Sequence, residues 1–258
     1  KDKKGLIMGV ANERSIAWSI AKAADEHGAE LAFTYQGDAL LKRVAPLADS
    51  IGSKILLPCD VSEDASIDDV FSELSQVWGA IDFVVHAIAF SDRRELKGRY
   101  LDTSRENMIA SLMVSCYSFT HVARRAASLA SGGASFVTYT FEGSRHVVPS
   151  YNVMGVAKAA LETSIKYLAV DLGEKKIRVN GISLGPMRTL SGAAIKDARY
   201  IYNWTEKNSP LGKSIDFQDL SGSSNYLLSK QSGGVTGEIH YVDAGYNVIG
   251  MIKPPVNT

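Results

Sequence analysis

The fold is decided by residues 5–35, which read GLIMGVANERSIAWSIAKAADEHGAELAFTY. The run Gly5–Val10 predicts a short buried strand that leads into a turn. Ser15 is a good helix N-cap before an apolar-periodic segment that Gly28 closes, and Ala29–Tyr35 predicts a second strand. Strand, glycine turn, helix and strand within about thirty residues form the opening unit of a nucleotide-binding fold. The usual G-x-G-x-x-G is absent, so a plain βαβ unit without a ligand remains an alternative.

The alternation of strand and helix continues along the chain. Five further strands are predicted, at residues 54–59, 82–88, 134–139, 176–183 and 238–243. Helices are predicted at 38–52, 65–78, 104–130 and 216–228, together with one that holds Tyr151 and Lys158 and runs on to Leu172. This pattern predicts the α/β class: a single doubly wound parallel seven-stranded sheet, Rossmann-like, with helices on both faces.

No Pro/Gly/Ser-rich linker interrupts the pattern, so residues 1–258 are expected to form a single domain, with a helical, loop-rich insertion at 190–209. Ligands of such sheets lie beyond the carboxyl ends of the strands. The residues that fall there are Gly9, Asp60, Ile88, Phe141 and Pro186.

Charge and composition exclude several classes of function. Lys and Arg number 28, equal to Asp and Glu, so no net charge draws the chain to nucleic acid or to anionic lipid. Cys59 and Cys116 are isolated and match no metal-ligand spacing, which favours a reducing compartment and no metal site. The longest uncharged run, 108–123, is too short to span a membrane. A cytoplasmic protein is therefore expected.

Tyr151 and Lys158 are candidate catalytic residues because they are seven positions apart. On a helix this spacing is almost two turns, which places both side chains on one face, roughly 10 Å apart along the axis. A nearby ammonium favours the phenolate and strengthens the phenol as a hydrogen-bond donor. An aromatic residue and a lysine on an ordinary amphipathic helix would have the same spacing, so the pair alone does not decide.

Several motifs together resemble one family over nearly the whole chain. They are GVAN at 9–12 with SIA at 15–17, AELAFTYQ at 29–36, CDV at 59–61, HAIAF at 86–90, YNVMG at 151–155, RVNGIS at 178–183, GPMRTL at 185–190 and VDAG at 242–245. The chain resembles the short-chain dehydrogenase/reductases, and within them the NADH-dependent enoyl-acyl-carrier-protein reductases of bacterial type II fatty-acid synthesis. Tyr-x6-Lys alone indicates only the superfamily, whereas the altered glycine turn with Tyr-Asn-Val-Met-Gly is far more specific.

The resemblance implies a dinucleotide-binding catalytic domain and roles for individual residues. Gly9, Ser15 and Ile16 would face the pyrophosphate and nearby ribose of the cofactor. A neutral Gln36 at the end of the second strand favours NADH over NADPH, although Lys42 and Arg43 lie close in sequence. The other implied cofactor contacts are Asp60, Val61, Ile88, Lys158, Met187, Arg188, Thr189, Leu190 and Ser191. Without the family, Asp60 and Ile88 would be read as a strand-end turn and core packing.

The implied reaction is reduction of the carbon-carbon double bond of a trans-2-enoyl thioester, the last reductive step of fatty-acid elongation. Hydride from NADH adds to the β-carbon, and negative charge builds on the thioester oxygen as an enolate. Tyr151 would stabilise that oxygen and Lys158 would bind the nicotinamide ribose. The final proton would come from solvent or through Tyr151. Ser91, Phe141, Tyr151 and Met154 would contact the substrate.

Some positions depart from the commonest family pattern. Phe141 stands where most bacterial relatives carry a second tyrosine, and Tyr139 is not assigned that role. Glu142 would be unfavourable near an enolate unless it points to solvent. Thr138 replaces the serine of carbonyl-reducing relatives, and His86–Ala89 replaces their Asn-Asn-Ala-Gly run. Both differences favour enoyl reduction over 3-oxoacyl reduction.

The insertion at 190–209 would be a lid over the substrate, with a surface helical hairpin as the alternative. The resemblance implies an acyl-carrier protein as partner, and the candidate docking residues are Arg188, Lys196, Arg199 and Lys207. It also implies a homotetramer, for which helix 108–124 and the helix after Lys158 would supply interfaces. Two competing functions are a carbonyl-reducing dehydrogenase and a catalytically silent dinucleotide-binding protein that senses cofactor.

Overall fold

The predicted parallel sheet is present in the computed structural model, which describes residues 2–193 and 195–252. Its strands are β1 (Lys4–Met8), β2 (Glu30–Tyr35), β3 (Ile55–Pro58), β4 (Phe83–His86), β5 (Ala134–Phe141), β6 (Ile177–Leu184) and β7 (Ile239–Val242). Their order across the sheet is β3-β2-β1-β4-β5-β6-β7, and each neighbouring pair is parallel. The order in which the chain adds strands reverses between β1 and β4, and doubly wound sheets bind ligands at this switch point.

The helices are α1 (Ile16–Glu26), α2 (Gly37–Ser50), α3 (Asp64–Val77), α4 (Arg105–Leu112), α5 (Ser118–Ala126), α6 (Val153–Gly173), α7 (Leu190–Ala193), α8 (Ala198–Asn208) and α9 (Phe217–Leu228). The fold class predicted from the sequence is confirmed. No helix in the described parts of the chain is both long and apolar enough to cross a membrane.

Two hydrophobic layers cover the two faces of the sheet. Leu6 and Met8 of β1 pack into one layer with α3, α5 and α6, whereas Ile7 packs into the other with α1, α2 and α9. Successive residues of a strand point to opposite faces, so this alternation places helices on both sides. The large side chains Phe33, Phe119 and Phe136 are fully buried in these layers. The carboxyl-terminal edge of the sheet is left to the connecting loops.

The structure differs from the sequence prediction at the boundaries of two elements, and both differences affect the site. The helical region expected at 104–130 is divided by a wider π-helical turn at Met113–Tyr117, where the Ser115 hydroxyl donates to the carbonyl of Phe90 and accepts from its amide. β4 ends at His86, because its partner β1 ends at Met8 in the parallel register. Ala87 and Ile88 therefore leave the sheet and line the ligand-binding edge.

Candidate active site

A cavity of about 1420 Å³ opens beyond the carboxyl ends of β4, β5 and β6 and is covered on one side by α7 and α8. Single-ligand pockets commonly measure about 300–1,000 Å³, so this cavity has room for more than one small molecule. Its walls bring together most of the residues expected from the sequence. They are Ile16, Ile88, Ser91, Phe141, Tyr151, Met154, Lys158, Met187, Arg188, Thr189 and Leu190.

Five other expected residues, Gly9, Ser15, Gln36, Asp60 and Val61, lie outside the lining of this cavity. The side chain of Ser191 lies outside the described part of the structure. The expected cofactor residues are therefore divided between the cavity and the adjoining ends of β1, β2 and β3.

The turn after β1 is shaped by Gly9 and Ser15. Gly9 has a φ of +102°, and a Cβ there would lie 2.2 Å from the carbonyl oxygen of Ala87, so only glycine fits. The Ser15 hydroxyl accepts hydrogen bonds from the amides of Ala11 (2.9 Å) and Asn12 (3.0 Å). Ser15 occupies the expected N-cap of α1, but its oxygen binds the turn rather than a helix amide. This closure explains the spacing between glycine and serine in the motif.

Gln36 and Asp60 pair across the ends of β2 and β3. The Gln36 amide donates to the Asp60 carboxylate at 2.8 Å, and the backbone amide and hydroxyl of Ser62 donate to the other carboxylate oxygen. The Ser62 hydroxyl is the main cause that holds the pKa of Asp60 below its usual value. Val61 is buried in the α3 side of the core. Asp60 thus has the hydrogen bonds of a strand-end turn. It also lies at the carboxyl-terminal edge of the sheet, where ligands of such sheets bind.

Tyr151 is held by a strained turn immediately before α6. The helix begins at Val153, so the prediction that Tyr151 lies on the same helix as Lys158 is wrong. The flanking residues Ser150 and Asn152 both have positive φ values, 58° and 43°, which ordinary L residues rarely adopt. The Asn152 amide donates to the carbonyls of Gly98 (2.9 Å), Leu96 and Glu95, and so fixes the turn. The seven-residue spacing still brings both side chains to one cavity.

Tyr151 is buried, with only 8% of the residue exposed. Its ring packs edge-on against Phe141, with centroids 4.9 Å apart. Burial raises the pKa of Tyr151, and the nearby Glu162 carboxylate raises it further. The hydroxyl is therefore a neutral donor at physiological pH. Such a group can stabilise an oxygen on which negative charge develops.

Lys158 lies on the second turn of α6 and is 6% exposed. Its ammonium donates to the carbonyl of Tyr139 at 2.7 Å. Burial lowers the pKa of Lys158 to about 8, and Cys116 and Glu162 oppose that shift. A buried amine and the phenol thus line the same cavity.

The sequence predicts that Glu142 would be unfavourable near an enolate unless its side chain points to solvent. In the structure the side chain does not point to solvent. The residue is 6% exposed, and its carboxylate binds the imidazole of His146. Glu142 lines a separate cavity of about 160 Å³, not the one that holds Tyr151. Because Phe141 ends β5, the next side chain turns away from the large cavity. This turn separates the carboxylate from the phenol.

Of the positions that distinguish carbonyl-reducing relatives, Ala87, Ile88 and Ala89 line the cavity, whereas Thr138 and His86 do not. Thr138 is buried and donates to the carbonyl of His86 at 3.0 Å. Burial lowers the pKa of His86 to about 3, and Lys158 adds to that effect, so the imidazole is neutral. The hydroxyl of Tyr139 contacts Ser224 at 3.1 Å on the α9 side. Tyr139 therefore does not replace the missing second tyrosine, as expected.

Sequence reasoning missed several residues that hold the site. Asn107 is buried, and its side-chain oxygen accepts from Ser91 (3.2 Å) and from the amide of Asp92 (2.9 Å). Glu162 accepts from Thr140 and Ser144 on β5 and the turn after it. The i,i+4 spacing of Lys158 and Glu162 was the available signal for Glu162. No short-range pattern marked Asn107, because its partners are about 15 residues away.

The expected lid contains α7 and α8 and is joined to the Tyr151 turn. The Ser150 hydroxyl binds the carboxylate of Asp197, the residue before α8. The Arg188 guanidinium lies 4.4 Å from the ring centroid of Tyr202. The hydrogen bond joins the segment that covers the cavity to the turn that holds Tyr151, and the cation–π contact joins the cavity wall to α8.

A doubly wound parallel sheet, a glycine turn after β1 and a Tyr–Lys pair in a cavity at the strand ends define the short-chain dehydrogenase/reductase class. A family model described as "Enoyl-(Acyl carrier protein) reductase" matches residues 9–247. "Enoyl-[acyl-carrier-protein] reductase [NADH] 2" of Rhizobium meliloti is 58% identical over 249 residues, covering 96% of this chain and 93% of that protein. The chain belongs to the enoyl-acyl-carrier-protein reductase family, and the family predicted from the motifs is confirmed.

Solved structures agree with this assignment. The reductase from Anaplasma phagocytophilum, solved in complex with NAD, has a TM-score of 0.94 and 54% identity, covering 98% of this chain and 96% of that chain. FabI from Candidatus Liberibacter asiaticus has a TM-score of 0.96 and 52% identity, covering 98% of both chains.

Proposed function

We propose that this protein reduces the carbon-carbon double bond of trans-2-enoyl-acyl-carrier-protein thioesters with NADH, the last reductive step of fatty-acid elongation. The observation that carries the proposal is the meeting of Tyr151 and Lys158 in one cavity at the switch point of the sheet. The family, and relatives whose names specify NADH, support the same reaction.

The site fits a nicotinamide dinucleotide. Among the residues that the structure describes, the buried Lys158 ammonium donates one hydrogen bond, although an ammonium has three donors. Gly9 lets the first turn pack against the carbonyl of Ala87, and the start of α1, which has no side-chain cap, offers unpaired amides to a pyrophosphate. The residues that would hold the cofactor are Gly9, Ser15, Ile16, Gln36, Asp60, Val61, Ile88, Lys158, Met187, Arg188, Thr189, Leu190 and Ser191.

NADH, when bound, supplies the hydride that adds to the β-carbon of the enoyl thioester. Tyr151 donates a hydrogen bond to the thioester oxygen, and this bond strengthens as the oxygen becomes an enolate. Because its pKa is raised, Tyr151 keeps its proton until the oxygen has gained charge. Phe141 and the strained turn fix the direction of the phenol before substrate arrives.

Lys158 has two roles in this account. Its ammonium holds the ribose hydroxyls, and its positive charge stabilises the enolate through the field at Tyr151. The carbonyl of Tyr139 orients the ammonium from β5. Because the pKa of Lys158 is about 8, its ammonium is half protonated near pH 8 and loses its charge above that pH.

The acyl chain would lie against Phe141 and Met154, with Ser91 beside the thioester. Met154 and Met187 give an apolar and adaptable wall. The segment 190–209 would act as the lid within a single domain, and the hydrogen bond that Ser150 donates to Asp197 would couple closure to the position of Tyr151. Arg188, Lys196, Arg199 and Lys207 would receive the acidic carrier protein by charge attraction.

We also propose a cytoplasmic homo-oligomer, of which a tetramer is the leading form. The outer face of α6 exposes Tyr167 (71%) and Val170 (79%), and α4 exposes Ile109. Exposed apolar side chains on neighbouring helices favour burial against another copy.

The test compares crotonyl and acetoacetyl thioesters, each with NADH and with NADPH. Oxidation of NADH with the crotonyl substrate is expected. Turnover of the acetoacetyl substrate alone would identify a carbonyl-reducing dehydrogenase instead. Binding of NADH without turnover of either thioester, unchanged in Tyr151→Phe, would identify a cofactor-sensing protein.

A further inference from the structure

Glu162 lies one helical turn after Lys158 on α6 and reaches the end of β5. Its Oε1 accepts a hydrogen bond from the Thr140 hydroxyl at 2.7 Å and another from the Ser144 hydroxyl. Thr140 belongs to β5, and Ser144 belongs to the turn at 142–144. One carboxylate oxygen therefore joins helix, strand and turn.

Two consecutive residues near the end of β5 bind the two charged side chains of α6, Lys158 and Glu162. The carbonyl of Tyr139 accepts from Lys158, and the next residue, Thr140, donates to Glu162. Residues four apart on a helix are neighbours, so the ammonium and the carboxylate lie on one face. The turn that Ser144 anchors also contains Gly143, whose backbone packs against the Tyr151 ring.

We infer that Glu162 is a positioning residue that keeps the buried Lys158 protonated and holds the turn at 142–144 against Tyr151. This inference rests on the proposed function. Its carboxylate contacts neither substrate nor cofactor in this account, because it is absent from the cavity lining. It acts on Lys158 by charge, and it acts on the turn at 142–144 through the hydrogen bond that it accepts from Ser144.

The electrostatic argument depends on the groups that face Lys158. Burial lowers the pKa of Lys158, and Cys116 of the π-helical turn and then Glu162 raise it. His86 from β4 is neutral because its pKa is lowered to about 3 by burial and by Lys158 itself. Tyr151 is neutral because its pKa is raised, and β5 presents only the carbonyl of Tyr139. Glu162 is therefore the carboxylate that offsets the cost of burying this cation.

The chain offers variants that separate charge from hydrogen bonding. Glu162→Gln removes the charge but keeps a side-chain oxygen that accepts from Thr140 and Ser144. Ser144→Ala removes one hydrogen bond and keeps the charge. Glu162→Asp keeps the charge on a shorter side chain, so it is the conservative variant that should restore the wild-type profile.

The experiment measures kcat/KM for NADH against pH, with crotonyl thioester at saturation, because this ratio reports ionisations of the free enzyme. The wild-type rate is expected to fall as pH rises, with a midpoint of about 8, as Lys158 loses its proton. In Glu162→Gln the midpoint should move down by roughly half a unit to one unit. Ser144→Ala and Glu162→Asp should keep the wild-type midpoint. The Glu162→Gln shift should persist in a Cys116→Ala background.

An unchanged midpoint in Glu162→Gln would overturn the inference, as would an equal shift in Ser144→Ala. Loss of the Glu162→Gln shift in the Cys116→Ala background would assign the effect to the thiol and would also overturn it. If the wild-type protein does not oxidise NADH with crotonyl thioester, the proposed function fails first. A normal wild-type rate with an unshifted variant profile contradicts only the role of Glu162.

Discussion

A Cβ built on Gly143 would lie 2.3 Å from Cδ1 of Tyr151, so the backbone of the turn after β5 packs directly on the phenol ring. On the other side, a Cβ on Gly155 would lie 2.5 Å from the carbonyl oxygen of Gly143. The turn, Tyr151 and α6 therefore leave no room for a single methyl group. The backbone of this turn, together with the Phe141 ring, sets the position of the phenol.

Gly143→Ala should displace Tyr151 and lower kcat by roughly 100-fold, the scale expected when a catalytic group moves by about 1 Å. Gly143 does not require a positive φ, so the effect would come from packing alone. Gly222→Ala is the matched control, because a Cβ there meets no atom within 4 Å and the helix gains a better helix former. Steady-state rates of the two variants check this, and equal rates would contradict the packing argument.

Asn152→Ala should destabilise the protein more than Asn152→Gly. Both variants lose the amide that binds the carbonyls of Gly98, Leu96 and Glu95, but only glycine adopts φ 43° without strain. Backbone strain of this kind costs about 1–3 kcal/mol, so the two free energies of unfolding should differ by at least about 1 kcal/mol. Urea denaturation measures the difference. An alanine variant as stable as the glycine variant would show that the turn is not strained.

Burial of Lys158 predicts a stability that rises with pH. The pKa of Lys158 is lowered from 10.5 to about 8 in the folded protein. Between these values the unfolded chain binds more protons than the folded one, so the free energy of unfolding increases with pH. The full effect is about 3 kcal/mol, and the cost of burying the charge is fully present below about pH 8.

Lys158→Met removes this titration and keeps the apolar stem. Its pH dependence therefore shows the contribution of all other ionising groups, which the comparison subtracts. The stability of the wild-type protein relative to Lys158→Met should increase between about pH 7 and about pH 10. Urea denaturation at several pH values measures it. A difference that stays flat, or that falls with pH, would contradict a buried cation at this position.

The sheet was predictable because each strand is a short apolar run between helical periods. Phe83–His86 and Ile177–Leu184 are buried almost throughout, as parallel strands covered on both faces must be. The strand ends were less predictable. Where β4 stops depends on its register with β1, which is a contact between residues far apart in sequence.

Many of the residues that line the cavity were predictable from the sequence, whereas the geometry of the candidate site was not. The spacing of Tyr151 and Lys158 identified the pair, yet it suggested one continuous helix. Positive φ at Ser150 and Asn152 places Tyr151 before the helix. Neither residue type predicts such a conformation from the sequence as strongly as glycine does. The sequence neighbours of Glu142 place it beside the candidate site, whereas the end of β5 turns its side chain into a different cavity.

The central claim is that the Tyr151 phenol stabilises the enolate formed during NADH-dependent enoyl reduction. Oxidation of NADH with crotonyl thioester, compared between the wild-type protein and Tyr151→Phe, tests it most directly. The account predicts that kcat falls by roughly 100- to 1,000-fold, the loss typical for one oxyanion donor, while the Kd for NADH stays within about twofold. A Tyr151→Phe variant that keeps the wild-type kcat would contradict it.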